Sequence, residues 1–341
     1  MQTKVITLAL QGGGSHGAFT WGVLDRLLED ERIEIEAMSG ASAGAMNAVA
    51  LAHGLTIGGR DGARQALKDM WLSIATKAPF NFMPEDWSTP ESIARQTVPS
   101  PAIKTFLLLA RFFSPYQINP FNLNPLRDIL EGQIDFDRLR AESKLELFIA
   151  ATQVSTGMPR LFRSKELTID ALLASACLPA LHHAIEIEGE NYWDGGLTAN
   201  PPIRPLFYEC SARDIVVVLL HPCRRPEVPT TADDIWHRLT EISFSSAFFA
   251  ELQGIALAKG VAKRGLFWFG KLERRLRRLN MHLIDAQELM SELSVLSKLN
   301  TQAAFISALH DEGRRRADAW LERNFRHICV RSTFTLDKHL Y

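Results

Sequence analysis

Cysteine is scarce in this chain, and its few cysteines do not pair in sequence. Cys177, Cys210, Cys223 and Cys329 stand apart with no C-x-x-C, which argues against a zinc site or a disulfide scaffold and predicts reduced, buried thiols. Long apolar runs are missing too. No stretch approaches the roughly 20 apolar residues of a membrane span. The run Val5–Leu10 behind Lys4 stops at Gln11, too short for a secretory signal core, so a cytoplasmic protein is expected. Net charge is nearly absent: 38 Lys and Arg against 39 Asp and Glu leave -1. No global field draws the chain to nucleic acid, and any electrostatic partner must meet a local patch. No metal or cofactor is expected. What remains, 341 residues that are 46% apolar and 23% charged, is ordinary globular composition with room for a large α/β unit and an extension.

The most informative stretch is Gly40-Ala41-Ser42-Ala43-Gly44. A β-compatible run, Ile33–Ala37, leads into it and a small-residue helical run, Ala43–Ala52, leads out. That is the G-x-S-x-G elbow, in which a serine on a strained strand-to-helix turn needs bare neighbours two residues away on either side. Upstream, the buried-strand run Val5–Leu10 feeds Gly12-Gly13-Gly14-Ser15-His16-Gly17 and then a helix, Ala18–Leu28. Bare backbone amides ahead of a helix cradle an anion. Two functions compete for them. Gly12, Gly14 and Gly17 satisfy the dinucleotide pattern G-x-G-x-x-G, with Glu36 at the ribose-binding distance. The segment holding Glu36 runs at once into the Ser42 elbow, however, which favours an oxyanion hole beside that serine.

Further on, Asp61–Ala75 predicts a packing helix. The prolines from Pro79 to Pro101 predict irregular surface or a lid, and Ile103–Phe113 a helix packed on the core or an acyl-contacting cap. Strands are expected at Leu145–Gln153, Pro159–Arg163 and Asp214–Leu220. A helix is expected at Thr168–Leu178, and a hairpin turn at Glu188–Asn191 leads to Tyr192–Gly196. The sum is α/β with a mainly parallel sheet flanked by helices. After Pro229 helical patterns run from Ala232 to Phe325, with a short strand-like end at His327–Val330. This divides the chain into a catalytic domain at 1–225 and a helical C-terminal region at 226–341, packed on the first. Within it, Lys259–Arg278 carries eight basic residues against one acid, Glu273. With Leu266–Phe269 it suits a peripheral contact with an anionic membrane surface, although a charge run is more often a solvated face whose stripe packs inward.

Three islands in order, Gly12–Gly17, Gly40–Gly44 and Asp194-Gly195-Gly196, make the chain resemble the patatin-like phospholipase family. Ala174–Pro179 and Asn200-Pro201-Pro202 are similar to that family's flanking segments. The resemblance covers roughly Lys4–Leu220 and implies a three-layer fold and a serine acyl hydrolase that cleaves carboxylic esters of lipids. It implies a Ser–Asp dyad with Ser42 as nucleophile and Asp194 as general base. Gly12, Gly13, Gly14 and Ser15 would form the oxyanion hole, with Gly17, Gly40, Gly44, Gly195 and Gly196 as motif glycines. One position departs: His16 stands where the family usually has Arg or Lys, replacing a fixed charge with one expected to titrate near pH ~6.5. Two alternatives stay open. One is a Ser-His-Asp α/β-hydrolase esterase, with His53, His182, His183 or His221 as the base and His221 the best placed. The other is a catalytically silent lipid-binding module.

Overall fold

The apolar run behind the N-terminus folds as β1 (Lys4–Leu10), whose last five residues are buried. In the computed structural model, which describes residues 3–77, 112–225, 227–264, 270–293 and 295–334, β1 lies inside a sheet of eight strands. After it come α1 (Gly17–Glu29), β2 (Ile33–Gly40) and α2 (Ala43–Lys77), then α3 (Pro115–Ile118), α4 (Pro125–Gln133) and α5 (Phe136–Glu142). The middle of the chain gives β3 (Glu146–Gln153), β4 (Pro159–Arg163), α6 (Ile169–Ser175), β5 (Ile185–Ile187), β6 (Glu190–Asp194), α7 (Arg204–Glu209) and β7 (Asp214–Val218). The rest is α8 (Ala232–Arg264), α9 (Lys271–Arg278), β8 (Asn280–Ile284), α10 (Gln287–Glu292) and α11 (Ala303–Asn324).

The strands run in the order β5-β6-β3-β2-β1-β7-β8, with β4 also on β3. The five from β3 to β8 are mutually parallel, while β4, β5 and β6 add antiparallel pairs at one side. Alternate side chains feed two cores, as the period of two requires. Val216 and Val218 of β7 pack with α1, α2 and α11; Ile215 and Val217 pack with Leu206 and Phe207 of α7 and Phe248 and Leu252 of α8. The result is three layers, with the sheet between two sets of helices.

Several expectations need correcting. Within the C-terminal region, Asn280–Ile284 is a strand parallel to β7, where helical patterning had suggested helix. Two of its five residues are polar, and its pairing with β7 rather than its own composition makes it a strand. The predicted strand at His327–Val330 is instead a short 3-10 turn, Phe325–His327, followed by a turn with Cys329 at φ 66°. The basic stretch is not one helix either, because α8 ends at Arg264 and α9 starts at Lys271. The Asp61–Ala75 helix is the second half of α2, set off by a break at Gly58 and Gly59. The proline-rich stretch Pro79–Pro101 and nearly all of Ile103–Phe113 lie outside the described residues. Two helices from opposite ends of the chain come into close contact: a Cβ on Gly22 of α1 would overlap the His310 carbonyl, and one on Gly313 of α11 the Phe19 carbonyl.

Candidate active site

Strand register brings the two expected catalytic residues to one height. Gly40, the last residue of β2, is level with Ile149 of β3, and Ala151 of β3 pairs with Asp194 at the end of β6. Ser42 lies two residues past Gly40, and Ala151 two past Ile149, a rise of roughly 7 Å in each case. Leu10, the end of β1, is also level with Gly40 and with Val218 of β7. The glycine loop, the elbow and Asp194 therefore meet outside the carboxyl ends of parallel strands, where open α/β sheets bind ligands.

Ser42 sits at φ 51°, in the left-handed region that a non-glycine residue rarely adopts. Its amide is held by Ser175 at the end of α6, donating to both the carbonyl (3.1 Å) and the hydroxyl (3.0 Å). A Cβ on Gly44 would overlap the Leu10 carbonyl, and one on Gly40 would lie 2.6 Å from the Gly44 carbonyl carbon. Only bare residues let α2 start this close to β1.

Asp194 is fully buried. Its Oδ1 accepts the Gly196 amide at 2.7 Å, and its backbone is fixed by the Cys177 carbonyl and the Thr152 hydroxyl, both at 2.8 Å. Burial pushes its carboxyl up to about 7, against smaller lowering effects from the Gly196 N–H and the Ser42 hydroxyl. The hydroxyl is thus near enough to act on the carboxyl, yet Oδ2 meets no partner in a hydrogen bond of normal geometry. A buried, unpartnered carboxyl oxygen of raised pKa has the chemistry of a proton acceptor.

In the glycine loop, the Gly12 amide is already committed, donating to Asn200 Oδ1 at 2.6 Å. The Gly13 and Gly14 amides donate to no group among the described residues, and Gly14 takes φ 58°. Ser15 is buried in the turn that follows. Asn200, itself buried, also receives Gln11 Nε2 on its carbonyl (3.3 Å) and donates Nδ2 to the Phe244 carbonyl (3.1 Å). In the sequence Asn200 stands out only by its neighbouring prolines; its anchoring of the loop depends on the fold.

Residues 8–207 match the family described as Patatin-like phospholipase, more than half of the chain. The chain belongs to the patatin-like phospholipase family. Among solved structures it is similar to the crystal structure of VipD from Legionella pneumophila, at 15% identity and a TM-score of 0.45, over 95% of this chain and 67% of that one. No curated protein matches it. At the level of the family, membership supports a lipid acyl hydrolase with a lipid substrate.

In this patatin-like chain three of the four candidate histidines have partners other than Ser42. His221 Nε2 lies 2.9 Å from the Lys298 ammonium and Nδ1 lies 3.4 Å from Ser245 Oγ, so both ring nitrogens are taken by groups other than Ser42. His53 accepts the Asp135 amide, and His183 stacks on Tyr116 with Nε2 3.2 Å from the Pro115 carbonyl. Burial lowers the pKa of His182. The rival ribose carboxylate, Glu36, accepts the Ser211 and Ala212 amides at 2.6 Å each. His16 corrects an expectation: burial, then Lys298 and Arg225, push its pKa down to about 3, so it is neutral across pH 5–8. Its Nε2 sits 2.7 Å from Ser297 Oγ. Among the described residues no cluster of three or more His, Cys, Asp or Glu is arranged to hold a metal ion, and no helix is long and apolar enough to cross a membrane.

Proposed function

We propose that this protein is a serine hydrolase of lipid carboxylic esters working through a Ser42–Asp194 dyad. One observation carries the reading: a buried Asp194 with an orphaned Oδ2, its pKa raised to about 7, beside a serine strained at φ 51°. At the reference carboxyl pKa an aspartate is a poor base for a hydroxyl; near 7 it takes a proton far more readily. In the first step Asp194 takes the Ser42 proton as Oγ bonds to the ester carbonyl carbon. The resulting oxyanion faces the free amides of the glycine loop, Gly13 and Gly14 foremost. The tetrahedral intermediate then expels the alcohol, which receives the proton from Asp194, and leaves an acyl-Ser42. Water, deprotonated by the same carboxylate, attacks the acyl group and restores Ser42.

The test is a fluorophosphonate probe followed by mapping of the modified residue, with ester turnover measured alongside. Modification at Ser42 is expected. Ser42→Ala should abolish labelling and lower kcat by a factor that reaches the order of 10⁶. Wild-type turnover in Ser42→Ala on every ester tested would sink the reading.

A peripheral membrane contact through Lys259–Arg278 has less support. Lys259 donates to the Leu279 carbonyl and Arg277 to the Ala262 carbonyl, while Arg275 lies 5.7 Å from the centre of the Phe207 ring. Lys271, Arg274 and Arg278 remain exposed. Sedimentation with anionic phosphatidylserine vesicles should show binding that weakens as salt rises and on Arg274→Gln/Arg278→Gln. No binding at low salt overturns this contact and leaves the hydrolase untouched.

A further inference from the structure

The glycine loop is braced by a segment that lies far outside the family match. The 3-10 segment Val295–Leu299 runs against it, and two adjacent residues make the contact. Ser297 Oγ meets His16 Nε2 at 2.7 Å. At Lys298 the approach is closer still: a Cβ on Gly14 would overlap the Lys298 carbonyl oxygen and lie 3.3 Å from its Cβ. The side chain of Lys298 then reaches His221, Nζ to Nε2 2.9 Å. His221 is tied to the start of the loop, because Gln11 Oε1 accepts the Leu220 and His221 amides at 2.7 and 2.8 Å.

The ammonium is an expensive group in this place. Lys298 is only partly exposed, and no carboxylate lies within 4 Å of it among the described residues. Glu241, the acid that acts on it, is bonded to Arg225 (2.7 Å) and Arg238 (3.2 Å). Burial and Arg225 pull the Lys298 pKa down to about 8, against Glu241, so it still carries its charge at neutral pH. A half-buried cation without a close carboxylate costs stability that an apolar side chain would spare. Facing an ammonium, His221 Nε2 accepts, which assigns the proton to Nδ1, directed at Ser245.

We propose that Lys298 is a positioning residue for the oxyanion loop, bracing Gly14 through its backbone and holding His221 through its ammonium. It thereby sets a positive charge behind the amides that receive the developing oxyanion. Neutral His16 supplies no such charge. The field of a cation at that point favours the transition state over the neutral ester, and so acts on kcat more than on KM. This inference rests on the hydrolase reading above and adds a residue from outside the segment that matches the family.

The experiment uses the full chain and the variants Lys298→Met and Lys298→Arg, each first checked for folding by circular dichroism and thermal melting. Lys298→Met is expected to lower kcat about tenfold or more with KM within about twofold, and Lys298→Arg to recover most of the loss. Fluorophosphonate labelling of wild-type Ser42 is read first. If wild type is neither labelled nor active, the hydrolase reading falls and takes this role with it. If wild type is labelled and active but Lys298→Met matches it, only the positioning role is overturned. Equal losses in Met and Arg variants, a loss confined to KM, or a loss that merely follows unfolding also overturns it.

Discussion

Asp194 couples catalysis to a cost in stability, and the sign of that coupling is fixed by its pKa. Its carboxyl is held near 7 in the folded chain, against 3.8 as the ordinary value, by burial first. The folded state therefore binds this proton more tightly than the unfolded one. Its contribution to stability is full below about pH 3.8 and is lost as pH rises through 7. Activity runs the opposite way, because only the ionised carboxylate accepts the Ser42 proton. A kcat/KM profile should climb through an inflection near pH 7, and Asp194→Asn should abolish it. The same variant should melt higher than wild type at pH 8, by an amount worth on the order of a few kcal/mol. Equal melting temperatures at pH 8 would count against the raised pKa. A second residue-scale prediction concerns His16. An arginine there would force a guanidinium into a buried site already facing Lys298 and Arg225. His16→Arg should cost about 3–5 kcal/mol in urea unfolding, rather than simply fixing a charge beside the loop.

At the scale of elements, the crossing of α1 and α11 is the sharpest test of packing. Gly22 and Gly313 each face a carbonyl of the other helix, so Gly313→Ala should force the helices apart and cost about 1–3 kcal/mol in urea unfolding. Loss of less than half a kcal/mol would mean the crossing is looser than described. The sequence announces α1 by its apolar spacing, but nothing in it announces its partner. The elements legible in the sequence are those whose own residues carry the instruction. Val5–Leu10 is apolar but for Thr7 because helices cover both faces, and Thr168 declares the start of α6 by accepting the Ala171 amide. The Gly40–Gly44 elbow is legible because backbone contact forbids side chains there. β8 was not legible, since Asn280 and His282 face Asp214, which accepts from them at 3.2 and 2.8 Å. Those polar residues bond to one oxygen, Oδ1, of a buried carboxylate, an obligation visible only in three dimensions. Lys298 is hidden for the same reason: an isolated lysine within a helical region has no spacing to read, and only the fold brings it to Gly14.

On the scale of the whole molecule, residues from beyond 225 join the sheet and the glycine loop built by those before it. The family match ends at residue 207, yet β8 extends the same sheet and Ser297 and Lys298 reach the glycine loop. Asp25 of α1 is bonded to Arg314 of α11, 289 residues further along the chain. That separation sets a timetable during synthesis. At roughly 5–20 residues per second a ribosome needs about fifteen to sixty seconds to travel from Asp25 to Arg314. Through that interval the face of α1 that will meet α11, including Phe19 and Val23, has no mate. The edge of β7 likewise awaits β8. An emerging chain of this kind is a natural client for a chaperone that shields apolar helices, and its vulnerability to aggregation should end only when the last long helix leaves the exit tunnel.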